Sequence, residues 1–233
     1  AGPAAGAGRW SLVADLLVPQ ASATARATAL ATQLLDRYGV VTRDAVAAEE
    51  VAGGFSAVYA VLKAMEESGR CRRGYFVEGL GGAQFALPGA VDRLRAVRET
   101  GLDAEAAVPL VVAATDPANP YGAALPWPES SDSVRHRPRR AAGAQVVLAD
   151  GRLVLYVERG GRSLLSFVEE PEILATAATA LAARVTAGRI GALQLQRVDG
   201  DAPMAQPVLD HLRAAGFADH PRGLVLRPAR AGR

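Results

Sequence analysis

The chain has 233 residues, the size of one large or two small domains, and half of them are hydrophobic, which is enough to bury real cores. The formal net charge is only +2. This excludes a histone-like binder and restricts any nucleic-acid site to a local patch. Because Cys71 is the single cysteine, an intrachain disulfide and a paired-cysteine zinc site are excluded, and we expect a reducing, cytoplasmic location. The longest apolar run, residues 106–115, is too short to span a membrane, and no signal-peptide pattern is present.

The first residue is alanine rather than methionine, so we expect a processed protein or a piece of a longer one. Lys63 is the only lysine among the 26 basic residues. This arginine bias, with the high alanine content, is typical of a high-GC bacterial genome. Arginine enrichment alone is therefore no evidence for phosphate binding.

The first half of the chain is predicted to form three helices and a β-hairpin. Residues 1–20 are expected to be a linker and lead-in, within which residues 9–18 form a short strand or an ordered segment. Capping residues, helical spacing of apolar side chains and terminal glycines then predict the helices. They cover residues 22–38, 42–50 and 55–68.

Two strands are predicted next, over residues 72–78 and 83–87, with a glycine-rich turn between them. A further helix is expected over residues 90–98. The order helix, helix, helix, hairpin is typical of a winged-helix module. We assign residues 21–103 to this domain and place the boundary near residues 99–107.

The second half, residues 104–233, is predicted to be α+β and mostly antiparallel, with two helices and a sheet curled toward a β-barrel. Residues 108–114 form an apolar, β-branched run and are expected to be a buried strand, followed by a proline-rich loop. The later elements are predicted from the Asp150–Gly151 turn signal and from patterns of alternating apolar and polar residues. They are two hairpins over residues 145–167, helices over 171–186 and 205–215, and strands over 191–198 and 223–226.

Several enzyme signatures are missing from the sequence. There is no phosphate-loop motif and no nucleophile-elbow motif, which excludes a phosphate-loop ATPase within this chain and gives no support to an α/β-hydrolase. Glycines at positions 79, 81 and 82 lie in a predicted hairpin, which makes dinucleotide binding improbable. The histidines, His136, His211 and His220, lack metal-ligand spacing, so we expect no metal site.

The wing of the winged helix is the first candidate for nucleic-acid contact. Guanidinium groups at the hairpin base could hold phosphates, and a neighbouring aromatic ring could stack on a base. The candidate residues are Arg70, Arg72, Arg73 and Tyr75. The third helix carries Lys63 but also Glu66 and Glu67, which repel phosphates, so sequence-specific reading of a groove is not expected. The alternative is a winged helix that only mediates protein interaction.

The basic stretch RHRPRR is the second candidate, and it is the densest charge cluster in the chain. A basic loop beside the aromatic residues Tyr121 and Trp127 has the composition of a nucleic-acid contact. The candidate residues are Arg135, Arg137, Arg139, Arg140 and Trp127. The alternative is a solvated loop in an arginine-rich protein.

No catalytic residue is identified. The isolated acidic residues of the second half all lie beside glycine, proline or histidine in turn-like settings, and we interpret them as structural. They are Asp116, Asp150, Asp199 and Asp219. A general-base role for Asp116, beside aromatic residues, is the less favoured interpretation.

Several stretches together resemble the C-terminal region of the large helicase-related (Lhr) proteins, and the similarity covers nearly the whole chain. They include GRWSL, RRGYFVEGLGGAQFALP, TDPANPYGAALPWP and VRHRPRRAAGAQVVLADGRLVLYVERGGR. The resemblance implies a parent superfamily 2 helicase that uses ATP and Mg²⁺ in motor domains outside this chain. Such a parent moves 3′ to 5′ on single-stranded DNA, unwinds duplexes that include RNA–DNA hybrids, and acts in DNA repair.

The resemblance also implies that the chain comprises the last winged helix and the terminal β-barrel of an extension similar to AlkZ-type DNA glycosylases. The catalytic Q-x-Q of those enzymes belongs to another part of their fold, so Gln194–Leu195–Gln196 matches it only as a string. We therefore expect a non-ATPase accessory segment, without a cofactor of its own, that contacts DNA, works with motor domains in cis and self-associates. The alternatives are a uracil or crosslink glycosylase module and a free-standing winged-helix regulator. No membrane partner is expected.

Overall fold

A computed structural model of the chain describes residues 11–100, 108–129, 137–200 and 207–229. Within these ranges, no helix is long and apolar enough to cross a membrane. The chain divides into two compact units, Ala1–Arg93 and Leu94–Arg233. The domain limits taken from the sequence, residues 21–103 and 104–233, stay predictions.

The first unit has the element order of a winged helix, as the sequence predicted. A short 3-10 helix comes first, and α4 runs across the division between the units. The elements are the 3-10 helix Val13–Leu17, α1 Ala23–Tyr38, β1 Val40–Val41, α2 Arg43–Ala48, α3 Gly54–Glu67, β2 Arg72–Gly74, β3 Gln84–Ala86 and α4 Pro88–Thr100.

Local capping explains where the first two helices begin. The Ser22 hydroxyl accepts a hydrogen bond from the Ala25 amide, and the Thr42 hydroxyl accepts one from the Ala45 amide, both at 3.1 Å. Each bond satisfies an amide that has no partner within its helix. Gly39 ends α1 at φ 68°, a conformation that other residues rarely adopt, and its amide donates to the Leu35 carbonyl.

Two details of the first unit differ from expectation. The segment predicted as a strand or lead-in contains the 3-10 helix Val13–Leu17 instead, with its apolar side chains exposed. The wing is also not a free hairpin, because β1 pairs antiparallel with β3 and gives the sheet order β1-β3-β2. A two-residue strand such as Val40–Val41 has too little periodicity to be recognised in the sequence.

Helices and wing share one core. Leu34 of α1, Val58 and Leu62 of α3 and Phe85 of β3 are all buried in it. The rings of Tyr59 and Phe85 meet edge to face with their centroids 5.9 Å apart, a favourable aromatic geometry. The wing is therefore fixed to α3 through its central strand.

The second unit is mixed α+β, and its two helices lie where the sequence predicted them. Its elements are β4 Leu110–Ala113, β5 Gln145–Ala149, β6 Arg152–Val157, β7 Ser163–Ser166, α5 Pro171–Thr186, β8 Leu193–Leu195, β9 Arg197–Val198, α6 Pro207–Ala214, β10 Ala218–His220 and β11 Gly223–Leu226.

These strands form two sheets, with orders β4-β5-β6-β7-β9 and β10-β11-β8. All pairings are antiparallel except that of β7 with β9. The predicted α+β class and mainly antiparallel pairing are confirmed. The strands within the described ranges do not close into a barrel.

The larger sheet is covered on both faces. One face packs with α5, α6 and the smaller sheet around buried side chains such as Leu155 and Leu181. The other face, which includes Tyr156 and Leu165, packs against Tyr121 and Trp127 of the proline-rich loop. Burial on both faces explains why β5 and β6 are continuous apolar runs rather than alternating patterns.

Two strand predictions need correction. β4 is not a fully buried strand, since it lies at the edge of the larger sheet and Leu110 is half exposed. The single strand expected over residues 191–198 is two strands, β8 and β9, because the chain passes from one sheet to the other there. Periodicity is the same in both sheets, so it cannot reveal the crossing.

Candidate nucleic-acid interface

The wing is held in shape by one buried glutamine. Gln84 lies in β3 with no exposed surface, and its side-chain oxygen accepts hydrogen bonds from the amides of Phe76 and Val77, both at 2.9 Å. Its side-chain nitrogen donates to the carbonyls of Val77 at 2.9 Å and Leu80 at 2.6 Å. The amide group thus satisfies four backbone groups of a wing loop that makes few ladder bonds of its own.

This loop and the strand before it present the predicted wing residues to solvent. Arg70, Arg72 and Arg73 are exposed, and Tyr75 is 86% exposed. A ring this exposed is available for stacking on a base. Cations followed by an open ring suit a phosphate backbone and an unstacked base.

The outer face of α3 is close to electrically balanced. The Lys63 ammonium lies 3.7 Å from the Glu67 carboxylate, and the Arg73 guanidinium lies 3.5 Å from the Glu66 carboxylate. Both contacts are at the surface and contribute little stability. They do reduce the positive potential that Lys63 and Arg73 would offer to a phosphate.

The basic loop divides into side chains that face outward and one that faces inward. Arg137 and Arg139 are exposed, whereas Arg135, like His136, lies outside the described residues. The backbone of Arg139 is fixed, because its amide donates to the Tyr156 hydroxyl and its carbonyl accepts from it, each at 3.2 Å. Burial raises the pKa of Tyr156, so its hydroxyl keeps its proton at neutral pH.

The Arg140 side chain forms hydrogen bonds within the second unit instead of facing outward. Its guanidinium donates to four backbone carbonyls of the proline-rich loop, at 2.7 to 3.2 Å. The acceptors are the carbonyls of Thr115, Asp116, Asn119 and Tyr121. A guanidinium has five N–H donors, so most of its capacity is used here.

Trp127 is also engaged within its unit. Its ring stacks on Tyr121 with centroids 6.4 Å apart and meets Tyr156 edge to face at 5.7 Å. A Cβ atom at Gly122 would lie 2.4 Å from the indole nitrogen, so only glycine allows this packing. In this arrangement the indole covers the sheet and is only partly open to a base.

The acidic residues have structural partners. The Asp116 carboxylate accepts from the Ala118 amide at 2.8 Å, Asp150 occupies a turn at φ 48°, and Asp219 pairs with Arg213. Asp199 accepts from the Ser166 amide at 2.6 Å and hydroxyl at 2.7 Å. Burial raises the pKa of Asp199, although both hydrogen bonds act in the opposite direction.

Neither metal nor thiol chemistry is supported by the described part of the chain. It contains no cluster of His, Cys, Asp and Glu side chains that could hold a metal ion. Cys71 is buried, its thiol lies 3.5 Å from the Leu62 carbonyl, and burial raises the pKa of the thiol. A thiol protonated at neutral pH is a poor nucleophile.

Sequence reasoning missed the roles of Gln84 and Arg140. A polar residue within the apolar strand sequence AQFAL was the available signal for Gln84. Arg140 gave no such signal, because its neighbours in RHRPRR are equally basic. The carbonyls that it binds lie 19 to 25 residues away in the chain.

Replacing Gln84 should loosen the wing. In Gln84→Ala, the amides of Phe76 and Val77 and the carbonyl of Leu80 lose their partner, and each group left buried costs about 1–3 kcal/mol. We expect a lower free energy of unfolding in urea and faster amide hydrogen exchange over residues 75–82. Glu78→Ala, an exposed change in the same loop, is the control. Equal stability and exchange in the two variants would show that Gln84 does not hold the wing.

Comparison with known proteins shows which family the chain is similar to. Residues 20–106 match the family model described as the winged-helix domain of large helicase-related protein. The chain is 51% identical to "Lhr helicase/ probable uracil glycosylase" of Mycolicibacterium smegmatis, over 94% of this chain and 15% of that protein. It is 42% identical to "Lhr helicase/uracil glycosylase" of Escherichia coli, over 94% of this chain and 14% of that protein. The chain therefore spans about a seventh of the length of the curated relatives that it matches.

Proposed function

Because the chain belongs to the large helicase-related (Lhr) family, we propose that it is a non-ATPase, C-terminal accessory segment of an Lhr-type helicase and contacts nucleic acid during DNA repair. ATP and Mg²⁺ would act in motor domains in cis, since this chain carries no phosphate-loop motif. The strand would be single-stranded DNA or an RNA–DNA hybrid. The chain needs no cofactor for such contact.

The wing is the observation that carries this proposal. Arg70 and Arg72 are exposed just before and within β2, and the 86% exposed Tyr75 begins the loop that Gln84 holds. The balanced outer face of α3 argues against a helix inserted into a groove, and thus against a free-standing sequence-specific regulator. We infer contact with the strand backbone rather than base reading.

The loop at residues 137–140 would supply a second contact, in the other unit. Arg137 and Arg139 are its outward cations, and Arg135 belongs to the same basic sequence. Arg140 and Trp127 would act mainly by shaping the loop, since their side chains already bind and pack within the unit.

Removing the wing cations should weaken binding and its salt dependence. For the double variant Arg70→Ala/Arg72→Ala, we expect lower affinity for a single-stranded oligodeoxynucleotide. If each arginine neutralises one phosphate, the slope of log K against log salt should become shallower by about 1.4, or ~0.7 for each contact on a single strand. Fluorescence anisotropy titrations over a range of KCl concentrations measure both.

Arg93→Ala/Arg98→Ala is the matched control, since it removes the same charge from exposed positions on α4. It should leave the salt slope close to that of the parent chain. Equal slopes for the wing and control variants would exclude the wing as the contact. A parent chain that binds no strand at low salt would contradict the proposed function as a whole.

A base-excision role is the second candidate, because the names of both relatives include uracil glycosylase. Such an enzyme has to extrude a base into a pocket and cleave its glycosidic bond. Incubation of the chain with a uracil-containing strand, followed by alkaline cleavage at abasic sites, tests this role against a matched thymine-containing strand. Uracil-dependent cleavage would establish the activity in this chain, and its absence would exclude it there.

Self-association of the extension is also part of the proposal. Leu12, Leu16 and Leu17 are 63 to 80% exposed in and just before the 3-10 helix. A run of exposed apolar side chains gains free energy when a second copy covers it. Sedimentation velocity at increasing concentration should show a growing fraction of dimers or larger species, whereas one monomeric species throughout would contradict self-association.

A further inference from the structure

In the second unit, the turn between β6 and β7 is joined to the segment that crosses between the two sheets. The Gln194 amide donates to the Gly161 carbonyl at 3.1 Å, and the Arg162 carbonyl accepts from the amides of Gln196 and Arg197, at 2.8 and 3.1 Å. A Cβ atom at Gly161 would lie 2.6 Å from Leu193 Cδ2. This close, hydrogen-bonded junction fixes the backbone at both sides of the surface described next.

Two adjoining cavities open at this junction, with volumes of about 330 and 420 Å³, and Gly160 and Arg162 line both. The smaller one has apolar walls from Leu193 and Val225 and a polar edge from Gln194 and His220. The larger one is lined by charged side chains. Together they form one continuous surface, which we call the junction cleft.

Positive charge dominates the junction cleft. Four arginines line it, all of them exposed, against the single carboxylate of Glu158. These arginines are Arg159, Arg162, Arg197 and Arg227. Guanidinium groups on two sides of a concave surface bind phosphate oxygens through paired N–H donors.

The polar edge of the smaller cavity has defined donors. The Arg222 amide donates to His220 Nδ1 at 3.2 Å, and the Gln194 side-chain nitrogen lies 3.2 Å from the same atom. Since a backbone amide can only donate, Nδ1 accepts, and the proton of the neutral ring is on Nε2. The smaller cavity therefore combines apolar walls with an imidazole N–H and a carboxamide, the groups that hold the edge and faces of a nucleobase.

We propose that the junction cleft binds one nucleotide unit of a single strand, with phosphates on Arg162 and Arg197 and the base in the smaller cavity. This inference rests on the proposed function, since it assumes that the chain contacts nucleic acid, but it assigns a separate site. A free phosphate ion would use the arginines alone and leave the apolar walls without a role. A nucleotide within a strand uses both cavities at once.

The double variant Arg162→Ala/Arg197→Ala tests the phosphate half of the cleft in the full 233-residue chain. We expect weaker binding of a single-stranded oligodeoxynucleotide, with a salt slope shallower by about 1.4 for the loss of two phosphate contacts. Arg152→Ala/Arg184→Ala is the control, because it removes the same charge from exposed positions of the same unit outside the cleft. Equal slopes for these two double variants would overturn the proposal.

The base half is tested by comparing the oligonucleotide with a fully abasic strand of the same length. The parent chain should bind the intact strand more tightly, and Gln194→Ala/His220→Ala should reduce that preference by about two- to tenfold while leaving abasic binding unchanged. If the parent chain binds both strands equally, the smaller cavity does not bind the base and the proposal is overturned. If Arg162→Ala/Arg197→Ala abolishes the binding of inorganic phosphate but leaves strand binding unchanged, the cleft binds free phosphate instead and the proposal is overturned.

Measuring the wing variant Arg70→Ala/Arg72→Ala in parallel separates this inference from the proposed function. If the wing variant loses affinity and the cleft variant does not, the junction cleft is excluded while the nucleic-acid role stands. If the parent chain binds no strand, the proposed function itself fails. Loss in both variants supports two contact sites on one chain.

Discussion

The second unit depends on burying both faces of its five-stranded sheet. Helices α5 and α6 cover one face with apolar side chains, as in many α+β folds. The other face is covered by an irregular loop, whose backbone carbonyls have no ladder to bind. Arg140 donates hydrogen bonds to four of these carbonyls, while Trp127 and Tyr121 supply the apolar contact. Side chains with the composition of a nucleic-acid site are thus used to complete a fold.

The wing follows the same principle on a smaller scale. Its loop is glycine-rich and makes few strand bonds, so a side chain has to replace the missing ladder. Gln84 does this from the central strand β3, where Phe85 anchors the wing to the helices. Since the interior holds the loop, Tyr75 at its start faces solvent, as do the wing arginines that precede it. Rigidity of the support and exposure of the contact side chains are therefore linked.

The positions of the charged side chains in the fold matter more for this chain than their sum. The near-neutral net charge hides exposed arginines at the wing, at the loop of residues 137–140 and at the junction cleft. The cleft arginines are scattered in the sequence, from Arg159 to Arg227, and form no visible cluster there. The RHRPRR cluster, in contrast, contributes one of its arginines to internal hydrogen bonds. Density of charge along a chain is therefore a poor guide to density of charge in space.

The sequence by itself determined the elements with strong local signals. Caps, glycines and 3.6-residue periodicity located α1, α3 and α5 closely, and the Asp150–Gly151 turn located the β5–β6 hairpin. The order of the predicted elements indicated a winged helix, and distinctive stretches of sequence indicated the resemblance to the Lhr family. Only the tertiary structure decided that β8 and β9 belong to different sheets, that Arg140 faces inward, and that distant arginines share a cleft. These properties depend on contacts between residues far apart in the chain, and local propensity carries no information about such contacts.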